Sequence, residues 1–522
     1  SLAFTATIAD ILKVARDALL DAGYLSDEHD HRDTGIILGH STYLHRGQVS
    51  HIQNHIVLDQ TLELLKAAQP SLSEDDLARL RAALQKKLPP SNTDIAPGLV
   101  PNVMTGRIAN RLNLKGPNYI VDAACSSSLL AVNAAMDELR NGRSQLMIAG
   151  GVNASLPAEV SVIFTQLGAL SGRKKVRPFE QGSDGTLLGE GLGMVVMKRL
   201  DDALADGDRI YSVIRGIGQA SDGRGTGLLA PSEEGEALSI RRAYEGSGGG
   251  PAGSSAIEAQ GTGIPLGDKT EIAALRSVLG ARQGLLGSVA IGSVKSMISH
   301  CIPAAGIAGL IKTSLALHHK ILPPTLCGTV NPELQIEQTP LYVNTASKPW
   351  IAKPDAPRRA GINSFGFGGI NTHAILEEAP SAALRPPSLG QRDCELCVFA
   401  ADSTAALLQD IQQVLGYIAA NPRVRLADLA ATLAARECSD KPVRLAVLVS
   451  DLAELDKKLQ QAAKKVAEGK SPRWITRTGL SFCSQPLEGK LAFIFPGEGS
   501  QYLNMFSDLA QQFGEVREWF DF

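Results

Sequence analysis

An amphipathic pattern over residues 3–24 predicts a helix ending at Gly23, and the unbroken apolar run that follows, TGIILGHS at 34–41, predicts a buried strand. Residues 59–88 return to a helical period with charged faces. Between 119 and 382 the pattern changes. Apolar runs such as LMIAGGV, GLGMVVMKRL, SVIRGIG and VAIGSVKS alternate with helical segments and glycine-rich turns, as in an α/β layer structure. The proline-rich stretch PSAALRPPSLG at 380–390 places a boundary near 383. Beyond it, LADLAATLAAREC and DLAELDKKLQQAAKKVAEG predict helices, and LAFIFPGEGSQ at 491–501 predicts one further strand.

One junction in this pattern carries chemistry. Val121-Asp122-Ala123-Ala124 reads as the end of a strand and Ser126-Ser127-Ser128-Leu129-Leu130 as the start of a helix, with Cys125 between them. A tight strand-to-helix turn lifts its residue out of the packed layer. The unpaired N–H groups and positive dipole end of the helix favour a thiolate there, and small flanking residues leave room for a substrate.

Composition narrows the class. The 522 residues exceed the roughly 100–200 of one domain, so several folding units or one large duplicated domain are expected. A hydrophobic content of 44% with 20% charged residues is that of a globular protein, and 51 glycines imply many tight turns. A formal net charge of −3 supplies no global field to recruit nucleic acid or an anionic membrane surface. No apolar run approaches about 18 residues and the amino terminus lacks a signal-peptide pattern, so a cytoplasmic enzyme is expected.

The cysteines at 125, 301, 327, 394, 397, 438 and 483 are too sparse for a disulfide framework, and reduced thiols are expected. Cys394 and Cys397 in CELC have metal-ligand or redox spacing, but no second pair or histidine cluster completes a site. DEHDHRD around His29 and His31 reads as an acidic solvated loop. No metal site is expected.

The central block holds more polar glycine motifs than packing requires. EAQGTGIPLGD at 258–268 places Gln260 and Thr262 on a loop, GSVKSMISH at 292–300 delivers Lys295 and His300, and NSFGFGGINTH at 363–373 is a tight glycine loop. Singly, each is most often a turn, a satisfied histidine or a solvated lysine. Together with Cys125 they make a Cys/His constellation suited to nucleophilic catalysis.

These residues resemble the β-ketoacyl synthases, and among them the ketosynthase domains of type I polyketide synthases and polyunsaturated fatty acid synthases. The resemblance runs from about residue 10 to 379 through DAACSSSL, RPFEQGSDGTLLGEGLGMVVMKRL, versions of the HGTGT and KSxxGH loops, and NSFGFGGINTHAILEE, in the family's order. It implies a thiolase-like αβαβα sandwich over residues 1–382, usually a homodimer. Residues 383–487 resemble the small α/β linker domain between ketosynthase and acyltransferase. Residues 488–522 resemble the start of an acyltransferase, with Gln501 at its oxyanion-hole position. No GHSxG motif occurs, so no acyltransferase activity is expected of this piece. The family's opening IAIIG-like strand is also absent, which a shortened chain explains more simply than an enzyme lacking a core strand.

The resemblance implies that Cys125 takes an acyl chain from the phosphopantetheine arm of an acyl carrier protein, with no bound cofactor. The N–H groups of Cys125 and Phe367 would form the oxyanion hole. Gly366, Gly368 and Gly369 would shape it and bind substrate with Thr262 and Ile264. A malonyl-type thioester would then lose carbon dioxide, and its enolate would attack the stored acyl group in a Claisen condensation. His300 would donate to the enolate oxygen, with Lys295 in support. Gln260 stands where the family has a second histidine, Ile264 where it has a threonine that bonds the pantetheine arm, and Ser299 where it has glycine. An amide can donate a hydrogen bond but cannot exchange a proton, and losing one well-aimed oxyanion donor costs about 10²–10³ in rate. The expected activity is therefore condensation, impaired by Gln260. The alternatives are a non-elongating ketosynthase that only transfers acyl chains and, ranked last because Cys125 is kept, a non-catalytic dimerisation or chain-length partner.

Overall fold

The computed structural model describes residues 2–25, 29–41, 50–88, 100–154, 156–225, 227, 229–280, 288–352, 356–380, 394–421, 424–436, 440–485, 489–490 and 492–521. They form two compact units, Ser1–Pro387 with Phe506–Phe522, and Ser388–Met505. The boundary expected near 383, most of the proline-rich stretch and Cys438 lie outside the described residues.

The first unit is built on two sheets. In one, β1 (Thr34–His40) lies between β2 (Asn118–Val121) and β3 (Leu146–Asn153), parallel to both, and β4 (Gly191–Met197) closes the edge antiparallel to β3. Every residue of β1 and β3 is buried, so both strands read as continuous apolar runs, the signature of strands covered on both faces. The other sheet uses β5 (Ser212–Ser221), β6 (Ala256–Glu258), β7 (Val289–Gly292), β9 (Leu341–Val343), β11 (Arg359–Gly366) and β12 (Ile370–Glu378), in the order β5-β12-β11-β6-β7-β9. A ribbon of β8 (Ile321–Leu322) and β10 (Lys348–Pro349) lies apart from both.

Side-chain alternation along β1 shows how the layers are held. Ile37 packs inward with Leu129, Val132, Ile307 and Leu310 of the helices Ser127–Arg140 and Ala305–His319, which touch each other and strands of both sheets. Ile36 and Leu38 face the opposite way, against Ile11, Leu19 and Ile108 of the helices Leu2–Asp21 and Val103–Leu112. On the far side of the second sheet, Ile257 and Ile375 pack under Ile240 and Leu275 of Glu233–Gly246 and Pro265–Leu279. The expected αβαβα sandwich is therefore present. Truncating an interior residue such as Leu129 to alanine would cost about 2–5 kcal/mol.

The second unit is a small α/β body, as expected. Its sheet runs β13-β14-β16-β15, from β13 (Glu395–Ala401), β14 (Val443–Val449), β15 (Arg473–Ile475) and β16 (Leu480–Cys483), all paired antiparallel. Val443, Leu445, Val447 and Val449 point into a core shared with the helices Thr404–Ala420 and Leu452–Ala467. Cys397 is buried in that core and Cys394 is exposed. Among the described residues no group of three or more His, Cys, Asp or Glu could hold a metal ion, and no helix is long and apolar enough to cross a membrane.

Two expectations need correction. The helical stretch 59–88 is two helices, Leu58–Ala68 and Glu74–Gln85, because Pro70 interrupts it and Ser73 with Asp76 forms a capping box that starts the second. The strand expected at 491–501 is absent from its described residues. Phe493, Ile494 and Phe495 are 75%, 93% and 85% exposed and sit in no ladder, and a strand without a partner leaves its backbone groups unpaired. Residues 506–521 belong to the first unit, where Asp521 accepts from the Ala352 N–H at 3.0 Å and pairs with the buried Arg358.

Candidate active site

The turn that presents Cys125 is built as the sequence implies. Strand β2 ends at Val121, Ala123–Ser126 form a single tight turn, and the helix Ser127–Arg140 follows. Ala124 takes φ +50°, a conformation uncommon for a residue with a Cβ, and surrounding bonds hold it there. Ser126 Oγ donates to the Ser364 carbonyl at 2.6 Å, Ser364 Oγ donates to the Cys125 carbonyl at 2.7 Å, and Ser127 Oγ donates to the Ala124 carbonyl at 2.6 Å. Small flanking residues were expected to leave room for a substrate. Among them Ser126, Ser127 and Ser128 are fully buried, and Ser126 ties the turn to β11. Gly366 allows that approach, since a Cβ on it would lie 2.8 Å from the Ala123 carbonyl oxygen.

Cys125 Sγ lies 3.1 Å from His300 Nε2. The histidine is anchored through its backbone: its N–H donates to the Leu187 carbonyl at 2.8 Å, and its carbonyl accepts from the Gly189 N–H at 3.0 Å. This bracing gives the TLLGEG motif its place beside the site. Burial pushes the Cys125 thiol up to about 11, opposed by the charge of Lys295 and by the N–H groups of Phe367 and of Cys125 itself, which face the sulfur. A thiolate favoured by the helix end was expected. Burial outweighs the helix, and the resting group is a thiol. His300 is held well below its ordinary value, first by burial and then by Lys295, so the imidazole is neutral. A neutral imidazole next to a thiol is placed to take its proton. His300 Nδ1 is buried and has no hydrogen-bond partner among the described residues, and Nε2 is the nitrogen that faces the sulfur.

Lys295 is 3% exposed, not the solvated charge that lysines usually are, and burial lowers its pKa while Glu258 and Glu271 raise it. It does not line the cavity at Cys125. Its charge acts from behind.

Gln260 sits on the loop after β6. Its Nε2 donates to the Phe365 carbonyl at 2.9 Å, and its Oε1 accepts from the Phe365 N–H at 3.4 Å. The loop is fixed from below by acids one helical turn apart. Glu271 accepts from the Gln260 N–H at 2.7 Å, the Gly261 N–H at 2.8 Å and Asn363 Nδ2 at 2.7 Å. Asp268 accepts from the Phe179 N–H at 2.8 Å and the Gly263 N–H at 3.2 Å, and burial raises it to about 7. Asp268 and Glu271, spaced i and i+3 just after a glycine loop, were a legible signal that motif reading passed over.

A cavity of ≈ 290 Å³ opens over the sulfur, lined by Cys125, Gln260, Thr262, Ile264, His300, Gly366, Phe367, Gly368 and Gly369, so the structure brings together every site residue expected from sequence except Lys295. Phe164 stacks on Phe367 with ring centroids 5.6 Å apart and forms one wall. Asp222, Glu236 and Asn371 also line it; sequence reading missed Asp222 and Glu236 because they come from segments with no motif, and passed over Asn371 within NSFGFGGINTH.

Residues 8–203 match the β-ketoacyl synthase N-terminal domain, 211–329 its C-terminal domain, and 331–445 the ketoacyl-synthetase C-terminal extension. The chain is 35% identical to a polyunsaturated fatty acid synthase polypeptide of Thraustochytrium sp. over 97% of its length and 19% of the relative's. It is 38% identical to the mycocerosic acid synthase-like polyketide synthase of Mycobacterium tuberculosis over 78% of its length and 19% of the relative's. The chain thus spans about a fifth of these curated relatives. Among solved structures it is similar to the ketosynthase from module 6 of the bacillaene synthase of Bacillus subtilis, with TM-score 0.59 and 31% identity over 88% of this chain and 71% of that one. It is also similar to the ketosynthase from module 1 of the bacillaene synthase of Bacillus amyloliquefaciens, with TM-score 0.57 and 30% identity over 88% and 75%.

Proposed function

The chain belongs to the β-ketoacyl synthase family, as a ketosynthase domain of the type I polyketide and polyunsaturated fatty acid synthase kind, and on that premise we propose the following course of reaction. Cys125 gives its proton to His300 Nε2 and attacks an acyl thioester. The donor thiol leaves with the proton, and the acyl chain remains on the sulfur. The N–H groups of Cys125 and Phe367 hold the carbonyl oxygen as it gains charge. A malonyl-type thioester in the cavity then loses carbon dioxide. Its enolate attacks the stored acyl carbonyl, and the cysteine is released. Acylation frees His300 Nε2 from the thiol; once the ring proton has moved from Nδ1 to Nε2 by exchange with water, Nε2 donates to the enolate oxygen, and the released Cys125 thiolate takes its proton from solvent. The observation that carries this reading is the 3.1 Å approach of Sγ to Nε2 at the cavity floor.

Thr262, Ile264 and the glycines 366, 368 and 369 line the path for a phosphopantetheine arm, and an acyl carrier protein is the proposed donor. We extend the proposal to a homodimer in the cytoplasm, an adjacent acyltransferase beginning within 488–522, and a linker domain over 383–487. A second reading, acyl transfer without elongation, is favoured by one observation: the Gln260 amide is bonded to the Phe365 backbone. The test is incubation with an acyl thioester and malonyl-carrier protein, followed by mass spectrometry. An acyl adduct on Cys125 with β-ketoacyl product supports condensation, adduct without product supports transfer alone, and no adduct rejects both.

A further inference from the structure

Three of the carboxyl groups lining the cavity have their donors. Asp222 accepts from Asn371 Nδ2 at 2.6 Å, Asp268 from the N–H of Phe179, and Glu271 from Gln260, Gly261 and Asn363. Glu236 does not. It is 2% exposed, lines the same cavity as Cys125, and its Oε2 has no hydrogen-bond partner among the described residues. It stands in the first turn of the helix Glu233–Gly246, and the groups acting on it are the carboxyls of Glu271, Asp222 and Glu233. Burial and these like charges raise it to about 10, so it is a neutral acid. A neutral carboxylic acid offers what a carboxylate cannot, an O–H donor.

Much of the surrounding wall is apolar: Phe164, Leu167, Leu229, Leu266 and Phe367. An alkyl chain against that wall would cover Glu236 and leave its O–H unpaired. A chain bearing a keto or hydroxyl oxygen would satisfy it. Resting on the acyl-transfer reading above, we propose that Glu236 is a specificity-determining hydrogen-bond donor that selects acyl chains carrying a carbonyl or hydroxyl oxygen over saturated chains of the same length. A buried donor built for a substrate oxygen discriminates against the analogue lacking it more strongly than a shape-only pocket does.

The test is competition for Cys125 between hexanoyl-pantetheine and its keto and hydroxy analogues, with the oxygen at successive carbons, read as the ratio of adducts by mass spectrometry. The ratio within one preparation does not depend on how much protein is folded. The wild-type chain is expected to favour at least one oxygenated analogue by about 10-fold. Glu236→Gln, which keeps a donor, should retain most of that preference, and Glu236→Leu should abolish it. Equal labelling by all analogues in the wild-type chain overturns the proposal, as does an unchanged ratio in Glu236→Leu. The wild-type arm decides even if the leucine variant fails to fold. No adduct from any thioester overturns the acyl-transfer reading instead.

Discussion

The side-chain amide of Gln260 is bonded at both ends to the backbone of Phe365, donating to its carbonyl and accepting from its N–H. One of its two N–H bonds is therefore spent on the backbone of β11, in the pocket proposed to hold a malonyl-type thioester. Gln260→His should raise carbon dioxide release from malonyl-carrier protein by up to about 10²–10³, with a much smaller change in acylation of Cys125. Equal decarboxylation rates in the two proteins would mean that Gln260 already serves as donor.

Cys125 should react as a buried thiol. With its pKa raised to about 11, alkylation by iodoacetamide, followed at this residue by mass spectrometry, should climb about tenfold per pH unit from pH 7 to beyond 9. A plateau at or below pH 8 would contradict this. Lys295 lowers the thiol pKa, so Lys295→Met should slow alkylation at any fixed pH in that range. Cys125→Ala should lose both the alkyl and the acyl adduct.

Ser299 occupies φ +65°, ψ −177°, a region that glycine alone enters readily. Such a conformation costs about 1–3 kcal/mol, part of which glycine returns through the greater freedom of its unfolded chain. Ser299→Gly should stabilise the protein by about 1–2 kcal/mol in denaturant melts. Destabilisation would show that the serine side chain makes a contact worth more than the strain.

The carboxyl of Glu236 links stability to pH. Its pKa in the fold, about 10, lies above its ordinary 4.5, so the stabilisation it brings is whole below pH 4.5 and is lost as pH rises towards 10. Glu236→Gln is neutral throughout. Its stability relative to the wild-type chain should therefore grow between pH 6 and pH 8, by at most about 1.4 kcal/mol per unit. Melts at the two values that show a constant difference would indicate a charged, paired Glu236.

Sequence alone determined the features set by neighbours along the chain. The continuous apolar runs of β1 and β3 identify strands covered on both faces, and the strand-turn-helix grammar around Cys125 marks it as the candidate nucleophile. The loops carrying Gln260, His300 and Phe367 were legible because glycines and polar residues recur there at short spacing. Tertiary structure decided whatever depends on groups distant in the chain. Gln260 and Phe365 are 105 residues apart, and no local pattern states that the amide of one is bonded to the backbone of the other. The Cys125 thiolate expectation failed for the same reason, since desolvation is summed over every layer around the sulfur while the helix end acts only locally. The run at 492–501 has the apolar composition of a strand, but a strand forms only where another backbone pairs with it, and none does among the described residues. Glu236 became visible only when folding carried a residue without a motif into the cavity beside Cys125 and left its Oε2 without a partner among the described residues.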